Sequence, residues 1–224
     1  MHLLISVVMT HIQVVNPNTS AATTALMVDM ARSVLPENAS ISGITARTGS
    51  PLIVDPTALA AAADAVLALQ HDLTGDAIII AGFGDPGADE LRRRMTVPVV
   101  GIGEASICAA AERGRRFSIV TTTPQLEPAI RARVDQLGFA SLLASIRITA
   151  SDPIQLTGDA AALEAALEAL VARCSASDGA EAVIIGGGPL SQAARAIAGR
   201  SPVSIIEPLP EAVRLALRQL SVCA

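Results

Sequence analysis

The stretch GDAIIIAGFGDPG, Gly75 to Gly87, decides the fold, because AEAVIIGGGPLSQ, Ala180 to Gln192, repeats its form. Each is a short β-rich apolar run that ends in glycines, as a buried strand of a parallel sheet does before its turn. Aligning Asp76 with Glu181 sets the two 105 residues apart (181 − 76). At the same spacing HIQVVNPNTS, from His11, falls on RFSIVTTTPQ, from Arg116. ASISGITA, from Ala39, answers ASIRITA, from Ala144, and VPVVGIGEAS, from Val97, answers SPVSIIEPLPEA, from Ser201, with one residue gapped. Four strand-like segments recur in the same order, which marks an internal duplication.

Outward from these segments, short strands alternate with alanine-rich helical stretches, the pattern of an α/β protein. Strands are expected at 11–15, 40–45, 77–81, 97–101, 116–121, 145–149, 182–186 and 203–206. Helices are expected at stretches such as 20–35, 56–73, 105–113, 124–137, 159–174 and 210–220. Ser20, Asp55 and Asp159 stand where N-caps belong. The expected architecture is two pseudo-symmetric lobes, each a four-stranded, mostly parallel sheet flanked by helices, with the active cleft between them. Residues 9–105 with 208–224 would form one lobe and 106–207 the other. The apolar start, Met1 to Met9, is too short to span a membrane; residues 1–8 read as a disordered leader, with Met9 an alternative start.

Composition narrows the partners. Hydrophobic residues make up 51 % and charged residues 17 % of the 224, which excludes a disordered chain. Sixteen Lys and Arg against 21 Asp and Glu give a net charge of −5, with no basic run to grip nucleic acid or an anionic membrane. Without Trp or Tyr, and with three Phe, there are no stacking platforms for single strands. Cys108, Cys174 and Cys223 follow no CxxC spacing, and His2, His11 and His71 form no metal-binding pair. A soluble, cytoplasmic protein with a small-molecule partner is expected, and a metal site has little to build on.

Ligands of open parallel sheets bind beyond the carboxyl ends of the strands. Two such ends facing each other make a cleft lined from both halves. The first strands bring Asn16, Asn18, Thr19 and Ser20 and, in the repeat, Thr121, Thr122 and Thr123. The third strands bring Gly82, Phe83, Gly84 and Asp85 and, opposite, Gly187, Gly188, Pro189, Leu190 and Ser191. From the fourth come Glu104 with Ser106 and, opposite, Glu207. Of these, Asn16, Thr19, Ser20, Gly82, Phe83, Thr121, Thr122, Gly187 and Gly188 are the candidate substrate-binding residues. NPNTS and TTTPQ suit a carboxylate or an imide oxygen at a helix N-terminus; as turns and caps they need no ligand at all.

NPNTS, GFGDPG, VPVVGIGEAS and RRFSIVTT together, over about His11 to Leu217, resemble the aspartate/glutamate/hydantoin racemase superfamily, and within it the hydantoin racemases. The resemblance implies a bilobal, cofactor- and metal-independent enzyme with a small substrate, and association into a homo-oligomer. It also implies two cysteines facing across the cleft, one taking the α-proton and the other returning it. This chain departs from that pattern: glycine stands at both matched positions, Gly82 and Gly187, again 105 apart (187 − 82). Glycine carries no base, whereas a thiolate is one near neutral pH. Cys108 follows Glu104 within one turn and is the one cysteine near the cleft motifs; Cys174 and Cys223 read as structural.

The ionisable groups left at strand ends are Asp85, Glu104 and Glu207, the candidate catalytic residues. Desolvation in a cleft raises a carboxylate's pKa into the range useful for acid/base work. The plainer readings are a turn for Asp85 and helix N-termini for both glutamates. Three functions stay open at this point. One is an enzyme acting on a small carboxylate or a cyclic ureide or imide without the two thiols, by hydrolytic, lyase, decarboxylase-type or isomerase chemistry. A second is a catalytically silent small-molecule-binding protein on the same frame, and a third a degenerate paralogue.

Overall fold

The structure is a computed structural model that describes residues 9–223; the leader expected at 1–8 lies outside them. The first half runs β1 (Thr10–Asn16), α1 (Ala21–Arg32), β2 (Ala39–Thr45), α2 (Pro56–Ala68), β3 (Ala77–Ile80), α3 (Ala88–Arg94), β4 (Val99–Gly101) and α4 (Ile102–Ala110). The second repeats it as β5 (Phe117–Thr121), α5 (Glu127–Gln136), β6 (Leu143–Ile148), α6 (Pro153–Thr157), α7 (Ala160–Asp178), β7 (Ala182–Ile185), α8 (Ser191–Ala198), β8 (Ser204–Ile206) and α9 (Pro208–Cys223). All eight strands stand where the sequence puts them.

The strands form two four-stranded parallel sheets, β2-β1-β3-β4 and β6-β5-β7-β8. The identical order is the structural form of the duplication. In each sheet the chain leaves the first strand for the edge and returns to its other side, so a crevice opens beyond β1 and β3, and again beyond β5 and β7. Central strands are buried throughout: Ile78, Ile79 and Ile80 of β3 and Val183, Ile184 and Ile185 of β7 are fully covered. Burying each such side chain stabilises the fold by about 1.5–3 kcal/mol relative to exposure.

Local side-chain caps set several helix starts. Ser20 Oγ accepts the Thr23 N–H at 3.2 Å, Asp55 accepts from Ala58 at 2.8 Å, and Asp159 accepts from Ala161 and Ala162. The helix expected at 105–113 instead begins at Ile102, because its cap comes from elsewhere: Asp85 accepts the N–H groups of Gly103 and Glu104, each at 2.7 Å. Helices α3, α6 and α8, of seven, five and eight residues, add to those expected.

The two lobes exchange helices. Leu209, Ala212, Val213 and Ala216 of α9 complete the core of the first sheet beside Ile12, Val14, Ile79 and Val100. The lobe boundary expected at 105/106 falls inside α4. Its Ile102 and Ala105 belong to that first core, whereas Ile107 and Ala110 pack with Phe117, Ile119 and Ile184 of the second.

Candidate functional site

The two crevices face each other and enclose a cavity of about 60 Å³. Its lining comes from four of the six expected loops: Pro17 and Asn18 after β1, Ala81, Gly82 and Phe83 after β3, Thr121, Thr122 and Thr123 at the end of β5, and Gly186 to Leu190 after β7; the segments after β4 and β8 do not line it. Of the nine candidate binding residues, Gly82, Phe83, Thr121, Thr122, Gly187 and Gly188 line it; Asn16, Thr19 and Ser20 do not.

Those three organise the loop instead. The Asn16 amide donates to Asn18 Oδ1 (2.8 Å), to the Ser20 carbonyl (3.0 Å) and to Thr24 Oγ1 (2.9 Å), while its oxygen accepts the Asn18 N–H (3.1 Å). Ser20 caps α1, and the Thr19 N–H donates to the Ser50 carbonyl, which pins the β2–α2 loop over the site. That loop adds Leu52 and Ile53 to the cavity, α5 adds Ile130, the turn before it Leu126, and α6 Thr157. Sequence reasoning missed these because apolar residues in a loop or on a helix face carry no motif.

The glycines permit close packing. A Cβ on Gly186 would meet the Phe83 ring at 2.7 Å, so this aromatic from the first lobe lies flat on the end of β7. A Cβ on Gly82 would stand 2.6 Å from Pro17 Cγ, and Gly187 has φ +145°, a conformation that L side chains rarely adopt. The positions where the resemblance implies thiols are filled by neighbours on one side and by a glycine-only backbone on the other.

None of the three candidate carboxylates lines the cavity. Glu104 Oε2 takes Arg92 at 2.6 Å and Arg133 at 3.2 Å. Glu207 Oε2 takes Arg195 at 3.1 Å, and Arg195 also reaches Ser33 Oγ in the other lobe. The symmetry seen between the glutamates is therefore that of an ion pair: arginine and glutamate both recur at 103 residues (195 − 92 and 207 − 104). Ser106 turns back onto the carbonyls of Ile102 and Gly103 inside α4.

Asp85 is wholly buried and turns with φ 53°. Besides capping α4 it accepts Arg133 Nε at 3.0 Å, which ties the first lobe to α5 of the second. Burial pushes its carboxyl up to about 6, against the opposing pull of Arg133 and the two N–H groups. Burial works against the Arg133 charge as well, yet Asp85, Asp89 and Glu104 together raise its pKa further above the usual value. The two directions are compatible: the desolvation penalty of the pair falls on Asp85, which is more deeply buried, while three carboxylates share one guanidinium.

Cys108 does not line the cavity, and burial followed by Glu104 pushes its thiol up, away from a thiolate. Burial likewise raises Cys174, which is fully covered. His11 bridges Ser40 and Ser42 at the opposite end of β1, with both contacts at 3.0 Å. Among the described residues no three His, Cys, Asp or Glu gather as a metal site would need. The cavity wall thus holds hydroxyls, an amide, backbone and apolar groups, and no ionisable side chain.

Comparison with known proteins agrees with this fold. The profile of the Asp/Glu/Hydantoin racemase family matches residues 12–216. A hydantoin racemase of Paenarthrobacter aurescens is 30 % identical over 210 residues, covering 92 % of this chain and 89 % of its own. An allantoin racemase from Klebsiella pneumoniae superposes with a TM-score of 0.89 at 30 % identity, covering 96 % of this chain and 89 % of its own. One from Pseudomonas fluorescens gives 0.89 at 29 %, covering 96 % and 92 %. No helix among the described residues is long and apolar enough to cross a membrane.

Proposed function

Because the chain belongs to the Asp/Glu/hydantoin racemase family, we propose that it binds a cyclic ureide or imide, or a small carboxylate, between its lobes without two-thiol proton exchange. The observation that carries this reading is the side-chain inventory of the cavity, with hydroxyls and an amide but nothing that titrates. Removing an α-proton needs a base within hydrogen-bond reach of that proton, and returning it from the other face needs an acid there. Gly82 and Gly187 supply neither. Thr121, Thr122, Thr123 and Asn18 suit the carbonyl and N–H edge of a ureide ring, and Phe83 supplies a flat apolar wall. The resulting function is small-molecule binding on a racemase frame.

A second reading, an enzyme with other proton carriers, is favoured by similarity to hydantoin and allantoin racemases along nearly the whole chain. Its carriers would be Glu104, Glu207 or Asp85, each of which would first have to leave its arginine. Proton NMR in deuterated buffer separates the two readings, with 5-substituted hydantoins, allantoin, amino acids and arylmalonates as the panel and calorimetric titration alongside. Binding heat with an undiminished α-proton signal supports the binding protein. Loss of that signal beyond the enzyme-free control, or new product peaks, overturns it in favour of the enzyme.

A further inference from the structure

One guanidinium crosses the seam between the lobes. Arg133, on α5 of the second lobe, donates from Nε to Asp85 (3.0 Å), from Nη1 to Asp89 of α3 (3.0 Å) and from Nη2 to Glu104 of α4 (3.2 Å). Asp85 and Arg133 are the two charged residues that are buried among those described. Each stands close to the cavity wall in sequence: Asp85 comes two positions after Phe83, and Arg133 one helical turn after Ile130. The turn into α4 leaves room for Asp85. A Cβ on Gly101 would fall on the Asp85 carboxyl, and one on Gly103 would stand 3.0 Å from both its oxygens. The duplication sets Leu190 at the place of Asp85 (190 − 85 = 105) and Val28 at that of Arg133 (133 − 28 = 105), both buried and apolar. Apolar residues thus serve the frame at one of two equivalent places, and a buried charge pair, costly to desolvate, stands at the other.

We propose that Arg133 is a positioning residue of the ring site: held on an ionised Asp85 it sets Ile130 of the second lobe against Phe83 of the first, and a proton on Asp85 loosens that grip and weakens binding. This rests on the ring binding described above and adds how the site is held. The hydrogen bonds that Asp85 accepts come from the Gly103 N–H, the Glu104 N–H and Arg133 Nε–H. A proton on the carboxyl therefore puts a donor among donors and removes the charge that Arg133 faces. Arg133 then keeps only Asp89, which is half exposed, and Glu104, which it shares with Arg92. The other ionisable groups around the pair are Arg92 of α3, itself on Asp89 and Glu104, and Cys108 of α4, with Arg218 of α9 near that thiol. Burial and Glu104 push Cys108 up, away from the acid side of neutrality.

Calorimetric titration of the full chain with allantoin and 5-methylhydantoin, neither of which titrates between pH 5 and pH 7, tests this. Asp85 titrates at about 6 in the free chain, so a site that needs it ionised binds up to about tenfold more weakly at pH 5 than at pH 7. The expected loss is at least about threefold. Protons should be released on binding at pH 6, read as a heat that varies with the ionisation enthalpy of the buffer. Asp85→Asn should lose both the slope and the proton release. Arg133→Met should bind more weakly than the wild type at pH 7, and Arg133→Lys, which keeps a cation for Asp85, should recover part of that loss. Wild-type affinity that does not change with pH, or binding without proton release, would overturn the clamp and leave ring binding intact. So would a slope that survives in Asp85→Asn, or an Arg133→Met variant that binds as the wild type does. The wild-type readings need no variant, so they decide even where a variant fails to fold. No heat from either compound would overturn the reading of the ring, and the clamp with it.

Discussion

Asp85→Asn isolates the one buried carboxylate that joins the lobes. In the wild type the group titrates near 6 folded, against an ordinary value of 3.8, because burial outweighs Arg133 and two backbone donors. The folded chain therefore holds this proton more tightly than the unfolded chain does. The stability it contributes is fully present below 3.8 and is lost as pH rises through about 6. Each pH unit in that interval is worth about 1.4 kcal/mol, so the whole gap amounts to about 3 kcal/mol. Between pH 7 and pH 5 the wild type should recover about 1 kcal/mol of it. Asparagine does not titrate, so the variant lacks this slope; its own loss of hydrogen bonds to Glu104 or Arg133 is independent of pH and cancels when slopes are compared. Urea unfolding of both proteins at half-unit steps from pH 5 to 7 reads the difference directly. Parallel profiles, or a wild type that weakens relative to the variant on acidification, would refute the assignment of a desolvated, ionised Asp85 at neutral pH.

Three further outcomes follow from the same geometry. Gly82→Cys with Gly187→Cys should not create α-proton exchange, since one Cβ collides with Pro17 and the other needs φ +145°; each change should cost roughly 1–3 kcal/mol in denaturant melts, and exchange of a hydantoin C5 proton seen by NMR would contradict this. Glu207→Gln should leave ligand affinity unchanged and lower stability by less than about 1 kcal/mol, because its pair with Arg195 is partly solvated; Glu104→Gln should cost more, having two arginines to release. Phe83→Ala removes the ring that covers Gly186, with an expected loss of about 2–3 kcal/mol for a partly buried aromatic and a clear fall in calorimetric affinity for the ring-shaped head; a variant that binds as the wild type does would remove Phe83 from the site.

The duplication was readable because it is written in strands, whose apolar runs and terminal glycines survive as pattern. From it follow the two sheets, their shared order and the meeting of four loops at one cavity. What the pattern carried less well was direction. Asn16, Thr19 and Ser20 stand at the right strand end, yet their hydrogen bonds run into the loop and α1, so being near the cleft did not mean facing it. Glu104 and Glu207 were recognised as equivalent, and the equivalence is real. Its meaning lay twelve residues upstream in each half, where Arg92 and Arg195 repeat with them. That signal was present in the sequence and points to a contact repeated in each half, so symmetry between two acids is by itself as good a sign of a duplicated ion pair as of a two-base mechanism. Asp85 is the opposite case. Its turn is local and legible in GDPG, but Arg133, its partner 48 residues on, arrives on a mostly polar helix that no local rule singles out. A carboxylate that reads as a turn-former also starts α4 and joins the lobes through Arg133. The duplicated frame thus holds Asp85, Glu104 and Glu207 in seams between elements, each on an arginine, and leaves the cavity lining without an ionisable side chain.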